Sequence, residues 1–177
     1  PKSKPLVVKK EKSIVTVGLL EKRKNYLFML SVFRKLFDED KEYSLTMVGA
    51  DGGELAALEQ YSKKYQLQVN FVGKLKYEDT LTEISKHQLY LHTSKKESFS
   101  YALLEAKLCG LKTVAYKQLD VPREFIDEKA SDFEISTWVN AVKSAPQNTS
   151  IFSSVFSEEK MVEETLNWLS NGRVENV

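Results

Sequence analysis

The sequence predicts a three-layer α/β fold, a doubly wound parallel sheet of about six strands with helices on both faces. Three observations predict it. Short β-branched runs alternate with segments whose apolar residues recur at helical spacing, and that alternation is how βαβ units read in sequence. The runs are almost continuously apolar, as strands covered on both faces must be. The chain has 177 residues, 42% of them hydrophobic and 29% charged. That is an ordinary balance for one globular domain, which buries roughly 70% of its unfolded surface at this size.

Each element follows in order. Residues 1–12 hold five lysines, one glutamate and two prolines. They read as a solvated linker, and we set residues 1–13 apart from a domain over 14–177; a basic membrane or nucleic-acid contact is the alternative. Ile14-Val15-Thr16-Val17-Gly18 is a strand closed by glycine. Tyr26 to Phe37 carries apolar residues at 27, 30, 33 and 37 and is a helix. Ser44 to Gly49 is the second strand, Asp51-Gly52-Gly53 a turn, and Leu55 to Tyr65 a helix. Val69 to Gly73 is the third strand and Tyr77 to Lys86 a short helix. Gln88 to His92 is the fourth strand. Phe99 to Cys109 is a helix that Gly110 stops. Lys112 to Tyr116 is the fifth strand. A helical turn is predicted over Glu124 to Glu128 and a sixth strand over Asp132-Phe133-Glu134. Ser136 to Lys143 and Ser157 to Ser170 close the chain as helices around an Asn148-Thr149-Ser150 loop.

Composition narrows the function classes. The net charge of +1 supplies no global attraction to nucleic acid. No apolar run approaches the ~20 residues of a membrane span. No signal peptide is seen. The single cysteine, Cys109, excludes an internal disulfide and a cysteine zinc cage, and it fits a reducing cytoplasmic setting. The two histidines have no third ligand at matching spacing, so no metal site is read. His87 is expected on the surface. His92, at a strand end, is either an edge-of-core histidine or a ligand contact. The chain begins at Pro1 without a methionine and reads as a piece of something longer.

Open sheets of this kind bind ligands beyond the carboxyl ends of their strands, where strand order reverses. After the first strand comes Gly18-Leu19-Leu20-Glu21-Lys22-Arg23-Lys24-Asn25, with three consecutive cations before a helix. The cluster suits a phosphate-bearing ligand; a solvated charge run is the other reading. Neither Gly-x-Gly-x-x-Gly nor a phosphate-binding Gly-x4-Gly-Lys-Ser/Thr loop is present, which argues against hydride transfer and against an ATPase. After the fourth strand, Glu97 lies in the loop and Glu105 one to two turns into the next helix. The spacing itself carries little, since glutamate is common here. Placement carries more, because both carboxylates can face one crevice. An ionised carboxylate accepts two hydrogen bonds at once, which matches a ribose diol. Ser98 or Ser100 can cap the helix, leaving N–H groups beside the same crevice. A sugar nucleotide fits this set.

These residues carry a resemblance. Glu97-Ser-Phe-Ser-Tyr-Ala-Leu-Leu-Glu105-Ala-Lys-Leu-Cys-Gly110, followed by Thr113-Val114-Ala115, resembles the Glu-x7-Glu segment of the retaining glycosyltransferases of family 4, group 1. Val17-Gly18 with Lys24-Asn25, Met47-Val48-Gly49, Phe71-Val72-Gly73 and Val121-Pro122 follow in that family's order. The match runs from about residue 14 to 170 and implies the C-terminal, Rossmann-like half of a two-domain GT-B enzyme. It implies a hexose-type sugar moved from a nucleotide diphosphate, UDP- or GDP-linked, with retention and without a metal or other cofactor. Glu97 matches the glutamate by the donor sugar and Lys24 the lysine that neutralises the diphosphate; these two are the expected catalytic residues. Glu105 matches the ribose ligand. Gly18, Arg23, Ser98, Phe99, Ser100 and Tyr101 fall along the diphosphate and sugar, and Lys74 and Leu75 at the base. The other implied partner is an N-terminal acceptor-binding half. The implied pathway is cell-surface polysaccharide or lipid-linked glycan synthesis, in the cytoplasm or peripherally at the inner membrane face. Membrane contact would come only through that other half.

The departures are specific. The family has Arg after the first-strand glycine; here it is Leu19, so one diphosphate cation is missing unless Arg23 or Lys22 swings in. Ser98 and Ser100 replace glycines, Leu119-Asp120 replaces Gly-Gly, and Arg123 stands where Glu is common. Two alternatives keep the fold: a non-catalytic binding relative, and another enzyme such as a sugar-nucleotide epimerase.

Overall fold

A computed structural model describes residues 10–145. The order of elements is β1 (Ser13–Val17), α1 (Tyr26–Glu39), β2 (Ser44–Val48), α2 (Leu55–Lys64), β3 (Val69–Gly73), α3 (Tyr77–Ser85), β4 (Leu89–His92), α4 (Tyr101–Leu108), β5 (Lys112–Tyr116), β6 (Glu128–Ala130) and α5 (Ile135–Ser144). Short 3-10 turns cover Lys22–Lys24 and Arg123–Phe125. The predicted helix over 157–170, the loop over 148–150 and most of the 1–13 linker lie outside the described residues. Lys10 already donates its N–H to Lys86 O, and Lys12 pairs with Asp40 and Glu42, so this end of the basic segment is fastened down.

All six strands are parallel, in the order β3-β2-β1-β4-β5-β6. Chain order therefore reverses between β1 and β4. Alternation along each strand divides the core. Ile14, Leu45, Met47, Leu89, Leu91 and Val114 pack with α1, α2 and α5. Val15, Val48, Tyr90 and Ala115 pack with α3 and α4. The two faces are thus both covered, which is why the strands are apolar throughout. Among the described residues no helix is long and apolar enough to cross a membrane.

Three expectations need correction. The helical turn expected over Glu124 to Glu128 is confined to Arg123–Phe125, and Glu128 instead opens β6 along the edge of β5. The sixth strand is Glu128–Ala130, not 132–134. Asp132 instead accepts the Glu134 N–H on its carboxylate and the Trp138 indole N–H on its carbonyl, shaping the entry to α5. Phe133 packs edge-on against Phe28 and against Tyr116. His87 is not on the surface; it is 7% exposed. It follows Ile84 by three positions, so the buried stripe of α3 carries it inward beside Glu83.

Helix α4 ends in a Schellman arrangement: Leu111 N–H donates to Ala106 O and Gly110 N–H to Lys107 O, with Gly110 at φ 72°. That stop turns the chain directly into β5 and fixes the length of the helix bearing Glu105.

Candidate functional site

The site is built where β1 and β4 lie side by side. Tyr90 fastens the end of β1, its hydroxyl accepting from Val17 N–H at 3.2 Å and donating to Val17 O at 3.0 Å. Gly18 follows. A Cβ placed on Gly49 would meet Gly18 O at 1.8 Å, so the ends of β1 and β2 approach backbone to backbone and Gly49 has no substitute. Beyond that contact the two loops are stapled. Leu20 N–H donates to Ala50 O, and Leu20 O accepts from Gly52 and Glu54.

The chain then turns through Lys22–Lys24 and reverses at Asn25, whose φ of 61° is left-handed. Asparagine tolerates that region better than most side chains, which gives the Lys-Asn pair a backbone reason. Buried Thr93, just past β4, donates its hydroxyl to Lys24 O at 3.1 Å, with Asn25 O at 3.3 Å. This link between the two strand-end loops sets where Lys24 points.

Lys24 Nζ reaches Glu97 Oε1 at 2.6 Å. The Glu97 side chain is only 9% exposed. Arg23 Nη1 lies 3.7 Å from Glu97 Oε2. His92 Nε2 is 3.5 Å from Oε1, too long for a good hydrogen bond, and that nitrogen has no other partner. Burial alone would raise the Glu97 pKa. His92, Lys24 and Ser94 around the carboxylate outweigh it and hold the group far below the usual range. Burial lowers the His92 pKa more than Glu97 raises it, so the imidazole is neutral.

Ser100 is the N-cap of α4, its Oγ accepting from Leu103 N–H at 3.3 Å. Tyr101 and Ala102 open the helix behind that cap. Phe99 packs edge-on to Phe125 and Tyr101 and anchors the loop. Ser98 is exposed, and so is Tyr101 at 59%. Glu105 is half-buried, and no described side chain or N–H is recorded bonding to its carboxylate. Burial pushes its pKa up to about 7. Lys74 is exposed beyond β3, and Leu75 is half-buried against the core that α3 and α4 cover.

The structure therefore brings Lys24, Arg23 and Glu97 together, with Gly18 beside the Lys24 stem. It records no direct contact from these to Glu105, Ser98, Tyr101, Lys74 or Leu75. Leu19 is 46% exposed and packs beside Gly52. Leu119, in the loop where glycine was expected, turns into the core at 8% exposure and not toward the crevice. Sequence reasoning missed Thr93, Tyr90 and Glu21. Thr93 directly follows β4 and Glu21 lies in the loop after β1, beside residues it did select, whereas Tyr90, inside β4, gave no signal.

Chemically, the arrangement offers two cations and the start of a helix to an anion, and an unpaired carboxylate to hydroxyl donors. Residues 2–145 match the family Glycosyl transferases group 1. Among curated proteins, the chain is 28% identical over 112 residues to a human phosphatidylinositol N-acetylglucosaminyltransferase subunit, covering 62% of this chain and 23% of that one. It is 29% identical over 112 residues to the gpi3 subunit of the Schizosaccharomyces pombe enzyme of that name, covering 62% and 24%. The chain thus spans about a quarter of the length of these relatives. Among solved structures, Anabaena HepE in complex with UDP and glucose superimposes with a TM-score of 0.68 at 20% identity, over 91% of this chain and 48% of that one. The pneumococcal O-GlcNAc transferase GtfA in complex with UDP and GlcNAc gives 0.61 at 19%, over 95% and 31%. These two share the α/β Rossmann-like fold.

Proposed function

Since the chain belongs to the group 1 glycosyltransferases, we propose that it is the C-terminal, donor-binding half of a two-domain GT-B enzyme that transfers a hexose-type sugar, with retention, from a UDP- or GDP-linked donor. The observation that carries this is the meeting of Lys24 and Glu97 at the point where strand order reverses, 2.6 Å apart. In this reading the diphosphate lies against Lys24 and the opening N–H groups of α4. Glu105 accepts both hydroxyls of the ribose, which explains a half-buried carboxylate with no partner. Glu97 lies by the donor sugar, and Lys74 and Leu75 by the base.

Transfer breaks the bond between the anomeric carbon and the diphosphate oxygen and forms one to an acceptor oxygen, whose proton passes to the departing diphosphate. Negative charge grows on the leaving diphosphate. Fixed N–H dipoles and Lys24 meet that charge without reorganising, which is where the chain lowers the barrier. The acceptor belongs to the other half. The names of the two curated relatives favour a phosphatidylinositol-type lipid and a GlcNAc donor.

Calorimetric titration with a panel of nucleoside diphosphates tests the reading. UDP or GDP should bind weakly, and Glu105→Ala should abolish the heat. Silence from the whole panel would remove the donor site. Sugar transfer by the full-length protein separates an enzyme from a binding relative.

A further inference from the structure

Two buried polar atoms behind Glu97 have no part in the transfer scheme. His92 closes β4 at 4% exposure, and Ser94 follows two residues on at 1%. Among the described residues, neither His92 Nε2 nor Ser94 Oγ has a hydrogen-bond partner. Buried polar groups are ordinarily paired, and one left unpaired costs stability. Both of these lie by the same carboxylate. His92 Nε2 is 3.5 Å from Glu97 Oε1, and Ser94 is among the groups that keep Glu97 ionised. The imidazole stacks on the Tyr90 ring, with 6.1 Å between centroids and 23° between planes, so the core fixes its orientation.

Lys24 is the reason the two atoms stay unpaired. Its Nζ holds Oε1 at 2.6 Å. An N–H···O bond closes at about 2.9 Å, so a shift of roughly 0.6 Å in the carboxylate would complete the contact to His92. Arg23 offers Glu97 little. Glu21 grips it, with Nε at 3.2 Å and Nη2 at 2.8 Å from Oε1, and its Nη1 reaches Glu97 Oε2 only at 3.7 Å. A phosphate that takes Lys24 therefore leaves Glu97 ionised, 9% exposed and without its shortest contact. A buried charge stripped of its partner is costly unless other donors receive it. His92 is neutral, so it can donate from Nε2 in one of its two tautomers. The Ser94 hydroxyl can donate as well.

We infer that His92 Nε2 and Ser94 Oγ form a second seat for Glu97, onto which its carboxylate closes when a phosphate takes Lys24. Both are positioning residues. Neither touches the ligand, and each acts through Glu97. The inference rests on the donor-site reading, which supplies the phosphate.

The test uses the 177-residue chain with its histidines labelled with nitrogen-15; there are only two of them, so His92→Leu assigns the spectrum. In the free chain His92 should be the neutral Nε2–H tautomer; the Nδ1–H tautomer would overturn the seat. Saturating UDP should move the Nε2–H signal downfield as its bond to Glu97 shortens, and uridine should not. A signal that UDP leaves in place, or a shift that persists in Glu97→Ala, would also overturn it. Calorimetry supplies the second readout. His92→Leu should weaken UDP about tenfold and leave uridine unchanged, and His92→Gln, which keeps a donor, should recover most of the loss. Equal losses of UDP and uridine in His92→Leu would mark His92 as a structural residue only. Silence of the unmutated chain toward both UDP and GDP would overturn the donor-site reading and the seat with it, whereas UDP binding without movement of the Nε2–H signal would overturn the seat alone.

Discussion

Glu97→Gln should tighten the binding of a nucleoside diphosphate while slowing transfer. In the free chain the Glu97 carboxylate lies 2.6 Å from Lys24 and 3.7 Å from Arg23, at 9% side-chain exposure. A phosphate entering between those cations must displace one or both contacts and then sit near an ionised carboxylate. At about 5 Å and an effective dielectric near 20, each pair of unit charges repels by roughly 3 kcal/mol. Some of that is recovered, because Glu97 also holds Lys24 in place and glutamine holds it less well. A net gain of about 1.4 kcal/mol, or about tenfold in affinity, is expected for UDP, and none for uridine. Mild acid does not mimic the substitution, since Lys24 and its other neighbours hold the carboxyl far below its ordinary range against the effect of burial. Isothermal titration of the variant with UDP and uridine measures the effect, and donor turnover by the full-length enzyme gives the opposing readout. A fall in UDP affinity as large as that of a Lys24→Ala variant titrated alongside would refute the reasoning, because Glu97 would then be a support for Lys24 and not a rival to phosphate.

Further outcomes follow from three residues, Glu105, Gly49 and Thr93. Burial raises the Glu105 pKa to about 7, so the ionised form is disfavoured in the folded chain. The cost is fully present above pH 7, shrinks as pH falls and is gone below the ordinary carboxyl range. Glu105→Gln should therefore stabilise the chain by about 1–2 kcal/mol at pH 8 and not at pH 4, read from urea midpoints. Uridine affinity should rise severalfold from pH 6 to pH 8 in the unmutated chain and stay flat in the variant, since diol donors favour the carboxylate. Gly49→Ala puts a Cβ 1.8 Å from Gly18 O and should cost more than about 3 kcal/mol or prevent folding; a midpoint within error of the parent would contradict the close approach. Thr93→Val removes the hydroxyl that holds Lys24 O and Asn25 O, so UDP affinity should drop severalfold with uridine unchanged.

The sheet was legible because its strands obey simple chemistry. Val69–Gly73 and Lys112–Tyr116 are β-branched or apolar runs with clear stops, and their bounds agree with expectation. Glu128–Ala130 was not legible. Its three residues hold one apolar side chain, and it is a strand only because β5 offers a parallel edge from Val114 to Tyr116. The helix before His87 was found, but His87 lies just past its predicted end at Lys86, and that it turns inward beside Glu83 shows only in three dimensions. At the site, Lys24, Glu97 and Glu105 could be picked out because strand-end position is readable from order alone. The direction of Arg23, the grip of Glu21 and the Thr93 link were not, since each depends on how the loop over 18–25 lies against residues outside it.

That loop is joined to its neighbour through Leu20, which exchanges three main-chain hydrogen bonds with Ala50, Gly52 and Glu54. Segments that must solidify around a guest forfeit affinity in doing so. This one has surrendered its freedom during folding, so recognition there leans on rigid geometry, and a polar ligand can be selected by fit even when its grip is weak. The same coupling makes residues 50–54 an indirect handle on selectivity: an insertion there would re-aim the cations without altering any of them.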